Sequence, residues 1–284
     1  MKEGTVEANG VTFAYLEAGD GPLVLLLHGF PDNAMTWDRV MHSPAEAGYR
    51  VVAPFIRGYP PTGIPADGRY DSAALAGDVA GLIEALGDDL AYAVGHDWGA
   101  IATYSAVALY PEKIRRAIGI AIGHPGGLVR IFERPDLLHH AFHVWLFQVP
   151  GLSEQAVRHD DFAMIDYLWK LWSPGIEDAG HIKSVKETLS APGAVEAALG
   201  YYRAILQFPL THPELSQKVQ FQPATVPTLT VFGGNDPGFA RAEDDGRFFA
   251  AEHRVERVEG AGHFVQREQP EELTRLLLEW LKGS

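Results

Sequence analysis

The segment Leu90-Ala91-Tyr92-Ala93-Val94-Gly95-His96-Asp97-Trp98-Gly99-Ala100 constrains this chain more than any other. An apolar run ends in Gly-x-Asp-x-Gly and passes into a helix-like stretch from Ala100 to Tyr110. A strand, tight turn and helix of this kind present one side chain at the carboxyl edge of a sheet. Gly95 and Gly99 permit the turn, because residues without a Cβ tolerate strained backbone and close helix–strand approach. The presented residue is Asp97, where serine is the usual reading. A serine needs a base to deprotonate it, whereas an aspartic acid with a reference pKa near ~3.9 is ionised at neutral pH. The chemistry shifts accordingly, from attack on an acyl carbonyl to displacement at an alkyl carbon.

Around this turn the chain alternates strands and helices. Val11–Ala18, Leu23–Leu27, Arg50–Pro54, Leu90–Val94 and Arg116–Ile122 read as strands, with helices over Asn33–Ala47 and Ser72–Leu86. The pattern resumes with strands Pro227–Phe232 and Arg254–Val258 and a closing helix Pro270–Leu281. Such alternation predicts an α/β fold with a mostly parallel sheet. Residues 124–225 break it. There the periodicity is helical and aromatic, with Phe142, Trp145, Phe147, Phe162, Tyr167, Trp169, Trp172, Tyr201 and Tyr202. The expected organisation is a core of residues 1–123 and 226–284 with a helical cap, or lid, of residues 124–225 inserted between two strands.

At 284 residues the chain is long enough for one large α/β domain with an insertion. It has no cysteine, which excludes disulfides, thiolate catalysis and cysteine-ligated metals. The start, Met1-Lys2-Glu3-Gly4, does not read as a signal segment, and no run approaches the ~20 apolar residues of a membrane span. The expectation is a cytoplasmic protein. A formal net charge of −14 argues against nucleic acid or an anionic membrane as partner. The expected partners are a small neutral apolar substrate and water; the oligomeric state is open, a homodimer included.

Open α/β sheets bind ligands beyond the carboxyl ends of their strands. Four chemistry-bearing segments fall at such ends: His28-Gly29-Phe30-Pro31, the Asp97 turn, Gly233-Gly234-Asn235-Asp236-Pro237, and Gly260-Ala261-Gly262-His263-Phe264. Their order, nucleophile then acid then histidine, is the chain order of α/β-hydrolases. Taken together, His28-Gly29-Phe30-Pro31, Gly95-His96-Asp97-Trp98-Gly99-Ala100 and the late Gly-x-Gly-His resemble the signatures of the epoxide hydrolase and haloalkane dehalogenase group of that superfamily. The resemblance implies an eight-stranded, mostly parallel sheet flanked by helices, with an inserted helical cap. It also implies a covalent mechanism, in which the aspartate opens the substrate to an alkyl-enzyme ester that a histidine-activated water then hydrolyses.

The residues suit those roles on their own chemistry. Asp97 needs no base, so His263 is available to take a proton from water. Asp236 holds the His263 tautomer and stabilises the imidazolium. The backbone N–H groups of Phe30 and Trp98 are the expected oxyanion hole. The resemblance further implies a cis peptide before Pro31. Other members of the group carry the acid after the preceding strand, but that place here reads Ile122-Gly123-His124-Pro125, without a carboxylate. His28 reads as structural, bonding the backbone of its loop, and His96 as packing beside the turn.

What leaves depends on the cap. An epoxide leaves as an alkoxide and needs a proton donor, whereas a halide needs only N–H groups. Tyr201-Tyr202-Arg203 resembles the cap Tyr-Arg segment of the family, pointing to Tyr202; adjacent helical residues cannot both face one pocket. His143-Val144-Trp145-Leu146-Phe147-Gln148-Val149-Pro150-Gly151 resembles the segment of the other cap tyrosine, whose place falls on His143. A neutral imidazole can donate one N–H, so the pair His143 and Tyr202 is workable. Phe30, Trp98 and Trp145 are the expected substrate contacts.

The favoured reading is an epoxide hydrolase acting on neutral apolar epoxides. The alternative is a haloalkane dehalogenase using the same triad, with Trp98 as halide donor and Trp145, Trp169 or Trp172 as a second. Fluoroacetate dehalogenases share His-Gly-Phe-Pro and a cap histidine but follow the nucleophile with arginines; here those places hold Trp98 and Ile101. A non-catalytic, apolar-ligand-binding protein of the same fold is the third reading, against which stand all three triad residues. No cofactor and no metal is expected, since no histidines fall in a zinc spacing such as His-Glu-x-x-His.

Overall fold

The computed structural model describes residues 1–127, 138–236 and 245–283. Its sheet is built from β1 (Lys2–Ala8), β2 (Val11–Ala18), β3 (Leu23–Leu27), β4 (Arg50–Pro54), β5 (Ala91–His96), β6 (Ile114–Ile120), β7 (Thr228–Gly233) and β8 (His253–Val258). They stand in the order β1-β2-β4-β3-β5-β6-β7-β8. Only β1–β2 and β2–β4 pair antiparallel; the rest of the sheet is parallel. This is the α/β-hydrolase arrangement expected from the sequence.

Three assignments differ from the sequence reading. β1 was not anticipated: as an antiparallel edge strand, only one of its ends is buried. Its alternation is therefore mostly polar and gives little signal. The helix expected over Asn33–Ala47 is instead a 3₁₀ turn, Ala34–Trp37, followed by a short helix α1, His42–Glu46. Asn33 caps the turn by accepting the Met35 N–H at 2.9 Å, and the chain then turns toward Pro44. Strand and helix ends elsewhere coincide or move by one or two residues, as terminal positions do.

The helices of the two flanks are α2 (Ser72–Ala85), α3 (Trp98–Leu109) and, at the end of the chain, α9 (Val265–Glu268) and α10 (Pro270–Lys282). Between β6 and β7 lie α4 (Phe142–Leu146), α5 (Leu152–Trp172), α6 (Ala179–Ser190), α7 (Ala194–Thr211) and α8 (Pro213–Phe221). The backbone of α5 leaves helical geometry at His159–Phe162, which kinks it. Residues 128–137 of the expected insertion, and Pro237 of the Asp236 loop, lie outside the described residues. Among the described residues no helix is long and apolar enough to cross a membrane.

Period-2 alternation divides β3 between the two faces of the sheet. Leu23, Leu25 and Leu27 join a cluster with Trp98, Phe147, Trp169 and Tyr202, whereas Val24 and Leu26 join Trp37, Val94, Val231 and Trp280. The helical insertion thus shares its core with one face of the sheet. That docking places its aromatic residues over the carboxyl ends of β3 and β5.

Candidate active site

The turn between β5 and α3 puts Asp97 at φ 53°, ψ −116°, a strained conformation for a residue with a side chain. Glycines make the surrounding packing feasible. A Cβ on Gly95 would collide with the Gly99 carbonyl, and one on Gly99 with that of Leu27. Parallel pairing of Leu27 with Gly95 sets the loop after β3 directly beside this turn. From that loop the Phe30 N–H donates to Asp97 Oδ1 at 2.8 Å, and the Trp98 N–H also bonds the carboxylate. The peptide before Pro31 is cis, as the resemblance implied.

His263 closes the other side. Its Nδ1 donates to Asp236 Oδ2 at 3.1 Å, and its Nε2 lies 3.7 Å from Asp97 Oδ2. The two carboxylate oxygens of Asp97 therefore have different surroundings: Oδ1 lies on the Phe30 N–H and Oδ2 toward the imidazole. Burial pushes the Asp97 carboxyl up to about 6, against the lowering pull of His263 and the two N–H groups. The sequence expectation of an ordinary carboxyl near ~3.9 is revised by this desolvation, although the group remains ionised at neutral pH.

Two further histidines hold the frame. His28 is fully buried, accepts the Ile56 N–H at Nε2 (3.1 Å) and bonds Gly29 O through Nδ1 (3.0 Å). Burial lowers it to about 4, so it is a neutral strut between two loops. His96 donates from Nε2 to the His263 carbonyl at 3.0 Å and packs its ring against that of His263 at 4.7 Å. It fixes the backbone that carries His263.

Above Asp97 stand rings from the insertion. Tyr202 packs edge-to-face on Trp98 (5.0 Å), Phe147 (5.0 Å), His143 (5.2 Å) and Phe30 (5.4 Å). Its hydroxyl is buried against the Trp98 side chain; burial first, and then the Asp97 carboxylate, raise it well above the usual phenol range, against the lowering contact with Trp98. Tyr201 turns the opposite way, donating to the Arg57 carbonyl at 2.7 Å from a fully buried position. The helical offset separates the two tyrosines as the sequence predicted. His143 is buried beside Tyr202 and Trp172, and burial, then His263, lower it to about 3. It is neutral throughout the physiological range.

Sequence reasoning missed the ties that fix Tyr202. Gln148 donates from Nε2 to the Tyr202 carbonyl at 2.7 Å. Arg203 binds the Phe147 carbonyl (3.0 Å), Ser153 Oγ (2.8 Å) and Glu154 Oε1 (2.7 Å). Gln148 and Arg203, one in each of the two segments that resemble the family, thus bolt α7 to the α4–α5 connection.

Three tryptophan assignments need correction. Trp145 is 49% exposed and lies about 200° around α4 from His143, so it does not join the rings over Asp97. Trp169 donates its indole N–H to the Pro31 carbonyl at 2.9 Å, and Trp172 donates to the His140 carbonyl at 3.1 Å. Both N–H groups are committed to backbone and do not serve as a second halide donor.

The chain is similar to known proteins along nearly its whole length. The alpha/beta hydrolase fold family matches residues 22–170. The AB hydrolase superfamily protein YfhM of Bacillus subtilis is 32% identical over 98% of this chain and 97% of its own length. Epoxide hydrolase A of Mycobacterium tuberculosis is 29% identical over 99% of this chain and 97% of its own. The crystal structure of epoxide hydrolase A from Mycobacterium thermoresistibile superposes with a TM-score of 0.85 at 27% identity, covering 99% of this chain and 98% of that one.

Proposed function

From the premise that the chain belongs to the α/β-hydrolase fold family, in its epoxide hydrolase group, we propose that it opens neutral apolar epoxides to vicinal diols through an ester on Asp97. The observation that carries this reading is the buried Tyr202 hydroxyl, which burial and the Asp97 carboxylate keep protonated and whose contact with the Trp98 side chain is to an indole that can only donate, leaving the phenol proton to be given. An epoxide oxygen needs such a donor and a halide does not.

The proposed reaction has two halves. Asp97 Oδ2 attacks an epoxide carbon; the C–O bond breaks, and the developing alkoxide takes a proton from Tyr202, with the His143 N–H as second donor. Solvent reprotonates the donor. A water then attacks the ester carbonyl carbon as His263 Nε2 accepts its proton, and Asp236 stabilises the imidazolium. Charge develops on Oδ1, where the Phe30 N–H already lies, with the Trp98 N–H on the same carboxyl group. Collapse breaks the bond to the diol oxygen, which takes the proton from His263. The helical insertion serves as the cap that excludes bulk water from the first half.

The dehalogenase alternative retains Trp98 but lacks a second indole donor, since Trp169 and Trp172 are committed and Trp145 is half exposed. The deciding assay offers styrene oxide and 1-bromobutane side by side. Diol without bromide release is expected. Bromide release at a comparable or greater rate would reverse the assignment.

A further inference from the structure

Asp32 follows directly on the loop that carries Phe30, and none of its surface is exposed. A carboxylate buried this deeply must be paired. Its Oδ1 accepts the His181 Nε2–H at 2.6 Å and the Asn33 N–H at 2.8 Å, and its Oδ2 accepts from Gln266 Nε2 at 3.5 Å. His181 lies on α6 of the insertion, and Gln266 lies on α9, three residues beyond His263. Two neighbouring contacts reinforce the same junction. Asn33 Nδ2 reaches Ser184 Oγ (3.2 Å) and Thr188 Oγ1 (3.1 Å) along α6. Trp169, which donates to the Pro31 carbonyl, stacks on Phe264 with centroids 3.5 Å apart. One buried carboxylate therefore ties together the loop bearing the oxyanion donor, the insertion and the segment bearing His263.

We propose that Asp32 and His181 form a positioning pair that holds the Phe30 N–H on Asp97 Oδ1 while the insertion is docked, and so sets the rate of ester hydrolysis. The kinetic part rests on the covalent reading above. During ring opening the Asp97 carboxylate loses charge as it bonds carbon, so the Phe30 hydrogen bond weakens toward that transition state. During hydrolysis the ester carbonyl oxygen gains charge, so the same bond strengthens. A displaced Phe30 N–H slows the second half and leaves the first nearly unchanged. A purely structural pair would lower stability and slow both halves alike.

The test uses His181→Ala, which removes the donor, and the double variant Asp32→Asn/His181→Leu, which removes the pair without stranding a buried charge. His181→Gln, which keeps a side-chain donor, is the rescue. Amide hydrogen exchange at Phe30, read by NMR, needs no substrate. Exchange about tenfold faster than in the parent is expected, with Leu25 and Leu26 in β3 still protected and His181→Gln near the parent. Rapid-quench mass spectrometry with styrene oxide then follows the ester. Its hydrolysis should slow about ten- to a hundredfold in the disrupted variants, with its formation changed less than about twofold. Unchanged Phe30 protection, or equal slowing of both halves, overturns the proposal. A parent that forms no ester from styrene oxide counts against the covalent reading instead, and the exchange result still decides the pair.

Discussion

Asp97 is held by backbone and Tyr202 by rings, and the two act on each other across the gap between sheet and insertion. On the sheet side, strand ends, N–H groups and two neutral histidines orient charged groups, each through a directional bond of about 3 Å. On the insertion side, the two proposed donors are neutral and buried among aromatic edges, and Gln148 holds the backbone of Tyr202. The difference tracks what each side must do. A nucleophile has to keep its charge, and the histidine of the second half its orientation, inside a buried site, which takes preorganised dipoles. A proton donor has to keep its proton, which burial alone achieves.

The comparison breaks first at its charged half. Asp97→Ala should reduce diol formation from styrene oxide by on the order of 10⁴-fold or more, to background; residual turnover within a hundredfold of the parent would remove Asp97 as nucleophile. Tyr202→Phe keeps the ring and removes the hydroxyl. It should slow ring opening by about a hundredfold in single-turnover measurements while ester hydrolysis changes less than about threefold. His143→Phe tests whether the second donor is needed. About tenfold slower ring opening is expected, and equal slowing of both halves would assign His143 to packing.

The smallest effect reads the electrostatics of the elbow directly. Folding raises the Asp97 pKa from 3.8 to about 6, so the folded protein holds that proton more tightly than the unfolded chain. The group's contribution to stability is fullest below pH 3.8 and is lost as pH rises through about 6. Asp97→Asn should therefore unfold with a free energy about 1–3 kcal/mol higher than the parent at pH 7, with the gain shrinking toward pH 4. A variant less stable than the parent at pH 7 would contradict this. The same ionisation should make ring opening fall about tenfold per pH unit below about 6.

The sheet side was also the more legible in sequence, for a physical reason. Glycines flanking Asp97, an apolar β3 ending in His28-Gly29, and Gly-x-Gly before His263 are local signals, since each records a close backbone approach at a strand end. The insertion side depends on which face of a helix docks. Helical offset separates Tyr202 from Tyr201, but no local pattern marks that Trp145, two residues from His143, faces solvent. Asp32 and His181 were invisible because they meet across 149 residues, and nothing local marks either as a partner of the other. The edge strand β1 escaped for the converse reason: half-exposed strands leave little apolar pattern.

The covalent ester is most directly tested in His263→Gln, which keeps Asp97 and the proposed donors but removes the base for the second half. Incubated with styrene oxide and quenched, the protein should gain the mass of one intact epoxide, and peptide mapping should place that mass on Asp97. Diol formation at the parent's rate with no adduct, or an adduct mapped elsewhere, would contradict the account.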